Sequence, residues 1–291
     1  MVRDASTHGY SDAVIARVAA ALRETLHGAR AQRLVGVSGL QGSGKSTFAV
    51  QLEKELKRTG TQTTVMSLDD FYFGRRARAR LARDVHPLLA TRGVPGTHDL
   101  DLIAHTLAAL RHASATHPAH VPRFDKGRDT RLPRARWRVV RTPPRLILFE
   151  GWCVGVPAQD AAALRRPVNA LERDEDAGGI WRGYVNAQLQ TGYAALWRRF
   201  DTLVLLQAPT FSVVERWRNE QEQALRRAHA PRAMSPSQLH HFIMHYERLS
   251  RHSLRTLPAL ADIRLVLVAD RSVRRIDIDA DIDNSANRFA I

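Results

Sequence analysis

The stretch Gly39-Leu40-Gln41-Gly42-Ser43-Gly44-Lys45-Ser46-Thr47 gathers what phosphate chemistry needs, and it fits the spacing G-x-x-x-x-G-K-[ST]. Glycines at 39, 42 and 44 let successive backbone N–H groups turn inward around a phosphate chain, and the start of a following helix adds partial positive charge. Lys45 would then lie against the β- and γ-phosphates of a nucleoside triphosphate, and the Ser46 hydroxyl would coordinate Mg²⁺. ATP and Mg²⁺ are the expected cofactors.

Two further acidic positions could complete such a site. Leu146-Ile147-Leu148-Phe149-Glu150-Gly151 is an apolar run that ends in an acid. At a strand tip beside the loop, Glu150 would hold Mg²⁺ directly or through water; the alternative is a solvated strand-end carboxylate. The run from Thr63 to Leu68 ends in Asp69-Asp70-Phe71-Tyr72. There an acid could take the proton of an attacking hydroxyl or bind the metal, and Asp69 leaves the strand first; a turn or helix cap is the other reading of the pair. Asp69, Asp70 and Glu150 could all stand near one Mg²⁺, so the direct ligand is left open.

These residues need elements to hold them. Val14, Val18, Leu22 and Leu26 recur at a spacing of four and predict an amphipathic helix. Arg33 to Ser38 reads as a buried parallel strand, Phe48 to Leu56 as a helix, and Gln62 to Leu68 as a second strand. Further strands are expected at Arg145 to Phe149, Thr202 to Gln207 and Ile263 to Val268. Helices are expected around Asp99 to Arg111, Ile180 to Trp197, Thr210 to Arg227 and Ser237 to Leu254. Such alternation, with the phosphate loop, predicts an α/β fold of the P-loop NTPase type: a three-layer α/β/α arrangement with a mostly parallel central sheet. One domain is expected over 1–291, with a core at 30–280, and the resemblance of its motif strings to a known family implies an acceptor-binding insertion at 74–144 and a helical lid at 209–235.

The chain has 291 residues with 44 Lys+Arg against 29 Asp+Glu, 44% hydrophobic and 25% charged. That is the composition of a globular protein able to bury a core, and it excludes wholesale disorder, collagen and coiled coil. Cys153 is the single cysteine, which excludes an internal disulfide framework or a cysteine-cluster metal site. The segment Met1 to Tyr10 lacks the apolar core of a signal peptide, and no apolar run approaches the ~20 residues of a membrane span, so a cytoplasmic protein is the expectation. Only four of the 44 cations are lysine (Lys45, Lys54, Lys57, Lys126), a bias that fits a GC-rich genome better than a selected nucleic-acid surface. The arginines are spread without a nucleic-acid-binding motif, so the excess favours an anionic ligand such as phosphate over nucleic acid.

Beyond the phosphate loop, five strings carry a resemblance: Leu68-Asp69-Asp70-Phe71-Tyr72, Arg92-Gly93-Val94-Pro95-Gly96-Thr97-His98-Asp99, Pro122-Arg123-Phe124-Asp125-Lys126, Phe149-Glu150-Gly151-Trp152 and Tyr184-Val185-Asn186-Ala187-Gln188-Leu189. With Leu206-Gln207-Ala208-Pro209 and Trp217-Arg218, they resemble the D-glycerate 3-kinase family, a branch of the P-loop small-molecule kinases that includes uridine kinase, pantothenate kinase and phosphoribulokinase. The match runs from Val35 to about Val273, and the Arg-Gly-x-Pro-Gly-Thr-His-Asp string is its most specific piece.

The resemblance implies roles. Asp69 stands where the wider group has its catalytic acid, and Glu150 stands at the Walker-B position. Arg92, His98 and Asp99 stand in one segment near the acceptor, and Arg123, Asp125 and Lys126 in a second. These types suit glycerate, a small hydroxy acid that needs a cation for its carboxylate and hydrogen bonds for its hydroxyls. Equally, His98-Asp99 could cap a helix, and Arg123 and Lys126 could be surface charges. Lys126 is followed at once by Gly127-Arg128-Asp129-Thr130-Arg131, a shorter loop than the family pattern. Related kinases use a lid arginine on the transferring group; Arg218 is the first candidate, Arg226 and Arg227 follow, and a solvated helix face is the alternative. Ala269 to Val273 resembles the loop that lies against adenine.

The expected activity is direct transfer of the γ-phosphate of ATP to an alcohol, D-glycerate first. A uridine, other nucleoside or pantothenate-type kinase is the alternative, and a nucleotide-binding regulator or nucleic-acid-associated ATPase the reading from another class. A small-molecule acceptor is the expected partner, in a monomer or homodimer, with no membrane.

Overall fold

The computed structural model describes residues 9–26, 32–227 and 234–280. Residues 1–8, on which most of the signal-peptide reading rests, lie outside it, as do 30 and 31 of the expected core and 228–233 of the expected lid.

A six-stranded sheet forms the centre: β1 (Arg33–Gly39), β2 (Thr63–Ser67), β3 (Leu146–Gly151), β4 (Thr202–Gln207), β5 (Ile263–Leu267) and β6 (Val273–Ile278), in the spatial order β6-β5-β4-β1-β3-β2. β1 pairs in parallel with β3 and β4, β2 with β3, and β4 with β5. β6 is antiparallel to β5, a strand that sequence reading leaves as loop; its Arg274, Arg275 and Asp277 interrupt the apolar pattern at this half-exposed edge.

The inner strands read as continuous apolar runs because both faces are covered. Leu34, Ile147, Phe149, Leu203 and Leu205 enter one core with Ile103, Leu107, Trp197 and Phe200. Val35, Val37, Leu148, Val204 and Leu206 enter the other with Val18, Leu22, Phe48, Leu52 and Trp217. The helices on these faces are α1 (Asp12–Glu24), α2 (Lys45–Arg58), α3 (Arg75–Asp84), α4 (Leu100–Arg111), α5 (Ile180–Gln188), α6 (Val213–Arg227) and α7 (Pro236–Leu260). α7 starts with a capping box: Ser235 Oγ accepts from Gln238 N at 3.2 Å, Gln238 Oε1 accepts from Ser235 N at 2.9 Å, and Pro236 follows.

Three departures from expectation have physical causes. The predicted helix from Ile180 to Trp197 is interrupted by a π-helical turn at Leu189–Tyr193 before it resumes at Ala194–Trp197. α3 is rich in arginine, and Arg78 is its one buried residue, donating to Ala90 O at 3.2 Å, so the helix has no apolar stripe to be read. Two small antiparallel ribbons, Ala119–Val121 with Arg138–Val140 and Phe124–Asp125 with Thr130–Arg131, are too short for a periodic signal.

Burial also sets a pH dependence. His245 on α7 is 5% exposed, and burial pushes its pKa down to about 4, a shift that the His241 carbonyl and the Glu175 carboxylate partly offset. The unfolded chain therefore binds more protons than the fold between about pH 6.5 and 4, so stability should fall as pH falls through that window. Thermal melts from pH 7.5 to 4.5 are expected to show this decline, and His245→Phe should flatten it by up to ~1.4 kcal/mol per pH unit.

Candidate active site

The loop between β1 and α2 wraps the N-terminus of that helix. Gly42 and Gly44 adopt φ of +78° and +85°, a region open to glycine at little cost. Gly44 is the N-cap and has no side chain to close the helix end, which leaves the first-turn N–H groups facing the loop's interior. Ser43 Oγ is buried without a hydrogen-bond partner, and the Tyr10 hydroxyl donates to Ser43 O at 2.8 Å from the outside. An orphaned hydroxyl inside a glycine cradle fits a phosphate chain.

Ser46 Oγ donates to Glu150 Oε1 at 2.9 Å. Glu150 is 4% exposed and sits in register between Val37 of β1 and Ser67 of β2, at the carboxyl ends of three adjacent strands. A serine hydroxyl and one carboxylate, both oxygen donors, suit Mg²⁺, which keeps several waters and takes the rest of its shell from phosphates. Among the described residues no group of three or more His, Cys, Asp or Glu is arranged to hold a metal by itself.

Burial pulls the Lys45 ammonium below its usual pKa, the Glu150 and Asp69 carboxylates pull it back, and the Lys126 and Arg218 cations add to the lowering. These four charges are brought into the neighbourhood of Lys45 by four separate segments of the chain. Asp69 lies in the 3₁₀ turn Leu68–Phe71 that ends β2. Its Oδ1 accepts the Tyr72 hydroxyl at 2.6 Å and its Oδ2 meets Lys126 Nζ at 2.7 Å. Burial opposes its charge, but the Lys126 ammonium, the Tyr72 hydroxyl and Lys45 outweigh that and hold the carboxyl well below the usual range. Asp70 faces the other way: it accepts Phe124 N at 2.8 Å and is raised by burial to about 6.

The Arg92–Asp99 segment is a tied loop. Trp152 Nε1 donates to Gly93 O at 2.8 Å, the Tyr246 hydroxyl to Arg92 O at 2.8 Å, and Gly96 N to the Tyr193 oxygen at 2.9 Å. Tyr193 Oη also lies 2.6 Å from His98 Nδ1. That oxygen accepts from Gly96 N–H, and a Tyr193 proton directed at His98 Nδ1 would place the imidazole proton on Nε2. Burial holds His98 neutral, with its pKa lowered to about 4, and Nε2 has no partner. The ring stacks on Tyr72 at 4.8 Å.

Other expected acceptor residues are spent differently. Asp99 caps α4, accepting Leu102 N at 3.0 Å, and its second oxygen takes Arg131 Nη2 at 3.1 Å. Asp125 accepts Arg128 N at 2.9 Å within its own turn, and Arg123 is exposed. Arg92 donates to Asp129 Oδ1 at 2.6 Å and lies 5.8 Å from the Phe124 ring centroid. Asp129 also binds Arg78 at 2.6 Å and Arg75 at 3.3 Å, so the short loop after Lys126 anchors three arginines. Asp129, Tyr72 and Tyr193 escape sequence reading because their partners are distant in the chain; only the position of Tyr72, three residues after Asp69, offered a local signal.

α6 presses on the phosphate loop: a Cβ on Gly42 would come within 2.6 Å of Trp217 Cβ. Arg218 donates to Gln221 at 2.7 Å and Glu222 at 3.0 Å, while its Nε is buried without a partner. Arg226 instead ties α6 to the start of α7 through Met234 O at 2.5 Å and Asn219 at 2.8 Å, and Arg227 is exposed. In the loop after β5, Arg271 Nε donates to Gly42 O at 2.7 Å, Nη2 contacts Trp217 O at 3.4 Å, and an ion pair joins it to Glu220 at 2.7 Å. Trp217 Nε1 donates to Ala269 O at 2.8 Å, so the Ala269 to Val273 loop borders the phosphate loop and α6 together.

A parallel sheet with a phosphate loop after its central strand, flanked by acids at neighbouring strand tips, defines a P-loop small-molecule kinase, a phosphotransferase that uses ATP with an alcohol group as acceptor. No protein-family model matches the chain. It is 33% identical over 220 residues to the uncharacterized kinase mug58 of Schizosaccharomyces pombe, covering 73% of this chain and 78% of that one. It is 32% identical over 249 residues to the chloroplastic D-glycerate 3-kinase of Arabidopsis thaliana, covering 81% of this chain and 52%, about half, of that relative. The structure of D-glycerate 3-kinase from Cryptococcus neoformans var. grubii superposes with a TM-score of 0.75 at 25% identity, covering 92% of this chain and 99% of that one. The chain belongs to the D-glycerate 3-kinase family. No helix among the described residues is long and apolar enough to cross a membrane.

Proposed function

We propose that this kinase transfers the γ-phosphate of ATP, bound with Mg²⁺, to D-glycerate and forms 3-phosphoglycerate. The observation that carries the reading is the meeting of Asp69 with Lys126 at 2.7 Å beside the phosphate loop: an acid for a hydroxyl next to a cation for a carboxylate. Relatives named D-glycerate 3-kinase support it. The rings that a nucleoside base would need are packed on each other instead, with Tyr72 stacked on His98 and edge-on to Phe124 at 5.3 Å.

In this reading, the loop N–H groups and Lys45 hold the β- and γ-phosphates, and Ser46 and Glu150 hold the metal. Mg²⁺ so held would neutralise phosphate charge and fix phosphate orientation. Asp69 orients the primary hydroxyl and takes its proton as the oxygen attacks phosphorus in line with the leaving ADP oxygen. His98 Nε2–H is the donor for a second acceptor oxygen, Lys126 meets the carboxylate, and Arg218 turns to the transferring group.

ADP release from ATP-Mg²⁺ with D-glycerate, L-glycerate, uridine, cytidine, pantothenate or no acceptor tests this. D-glycerate-dependent release with 3-phosphoglycerate as product is expected. Release that depends on uridine or pantothenate instead, or on no added acceptor, would overturn it.

A further inference from the structure

Both oxygens of Asp69 are occupied, by Tyr72 at 2.6 Å and Lys126 at 2.7 Å, and the two partners are held very differently. Tyr72 is 5% exposed and clamped between His98 and Phe124. The Lys126 side chain is 62% exposed and follows the strand Phe124–Asp125. Its backbone is pinned: Arg92 Nη2 reaches Lys126 O at 3.4 Å while Arg92 Nη1 is fixed on Asp129. The ammonium can swing while the ribbon stays. Each carboxylate oxygen can accept a second hydrogen bond, and of the two present partners the exposed Lys126 is the one that can give way to an acceptor hydroxyl, because Tyr72 is clamped.

We propose that Lys126 is a latch on Asp69 that an anionic acceptor opens, so that the site activates a hydroxy acid and leaves water and neutral alcohols untouched. This rests on the reading of the site as a kinase for a small hydroxy acid. A carboxylate offers the ammonium one anion in exchange for another, so release from Asp69 costs little. A neutral alcohol or water offers the ammonium no anion in exchange and leaves Asp69 with Lys45 alone of its two cations, so the exchange is less favourable. With the latch open, the acceptor's O–H proton passes to Asp69 Oδ2 and its oxygen forms the bond to the γ-phosphorus. The bond from that phosphorus to the β–γ bridging oxygen breaks, and its electron pair leaves with ADP. Lys126 is a selectivity device, and its failure would waste ATP on water.

The test compares wild type, Lys126→Met and Lys126→Arg, each with ATP-Mg²⁺ and D-glycerate, glycerol or no acceptor. Lys126→Met should lose ~100-fold in kcat/KM for D-glycerate, mainly through KM, yet gain ~10-fold in acceptor-free ATP hydrolysis with glycerol turnover rising in parallel. Lys126→Arg keeps a cation in place and should show a much smaller gain in hydrolysis than Lys126→Met. Adding Asp69→Asn to Lys126→Met should remove the gain. Hydrolysis in Lys126→Met at or below wild type, or a gain that survives Asp69→Asn, overturns the latch. If wild type fails to phosphorylate D-glycerate, the substrate reading falls, while the acceptor-free comparison still decides the latch.

Discussion

Asp69→Asn is expected to lower kcat by ~10³-fold while leaving the affinity for ATP within about threefold, because general-base transfer at a positioned carboxylate supplies an effect of that order. The substitution keeps the shape of the side chain and its hydrogen bond from Tyr72, now 2.6 Å away, and removes only the proton acceptor and the counter-charge for Lys126. Single-turnover kinetics with titration of ATP binding separates the two quantities. A loss of ATP affinity as large as the loss of turnover would move Asp69 from base to metal holder, alongside Ser46 and Glu150.

Lys45→Ala should do more, with turnover down by ~10³–10⁵-fold, the range that removal of a charge clamp on a transferring phosphoryl group produces. Ten-fold corresponds to about 1.4 kcal/mol, so the upper figure asks about 7 kcal/mol of transition-state stabilisation from this ammonium and the geometry it imposes. Its burial makes a clean control. A buried ammonium whose pKa is depressed burdens the nucleotide-free fold, so the alanine variant should melt no lower than wild type. Retained turnover in a folded Lys45→Ala protein would defeat the assignment of the loop, and a drop in melting temperature would reveal a structural duty instead.

The fold was legible where side-chain periodicity and burial agree. β4 falls at Thr202–Gln207 as read, since a strand covered on both faces keeps Leu203 to Leu206 apolar without a break and polar residues mark its ends. β6 and the two ribbons were not, because edge and two-residue strands carry polar residues and are fixed by their partners. In the site, chemistry written in one contiguous segment was legible: the phosphate loop needs its glycines, lysine and serine in sequence. What Arg92 does was not, and Asp99 was legible only in its alternative reading as a helix cap, since Asp129 and Arg131 pair with them across the short ribbon loop. Residue type names a capability, and which neighbour uses it is decided by packing. Tyr193 is the clearest instance, for it reaches Gly96 and His98 from the end of a π-helical turn that no local preference announces.

Arg271 holds Gly42 O, Trp217 O and Glu220 at once, so the phosphate loop and α6 share one guanidinium. Two sites joined in this way have a single coupling free energy, and it acts equally in both directions. Whatever affinity an ordered α6 adds to a bound nucleotide, the nucleotide returns as order in α6. Order in α6 and retention of ADP are then two faces of one equilibrium, and a change that weakens one must weaken the other.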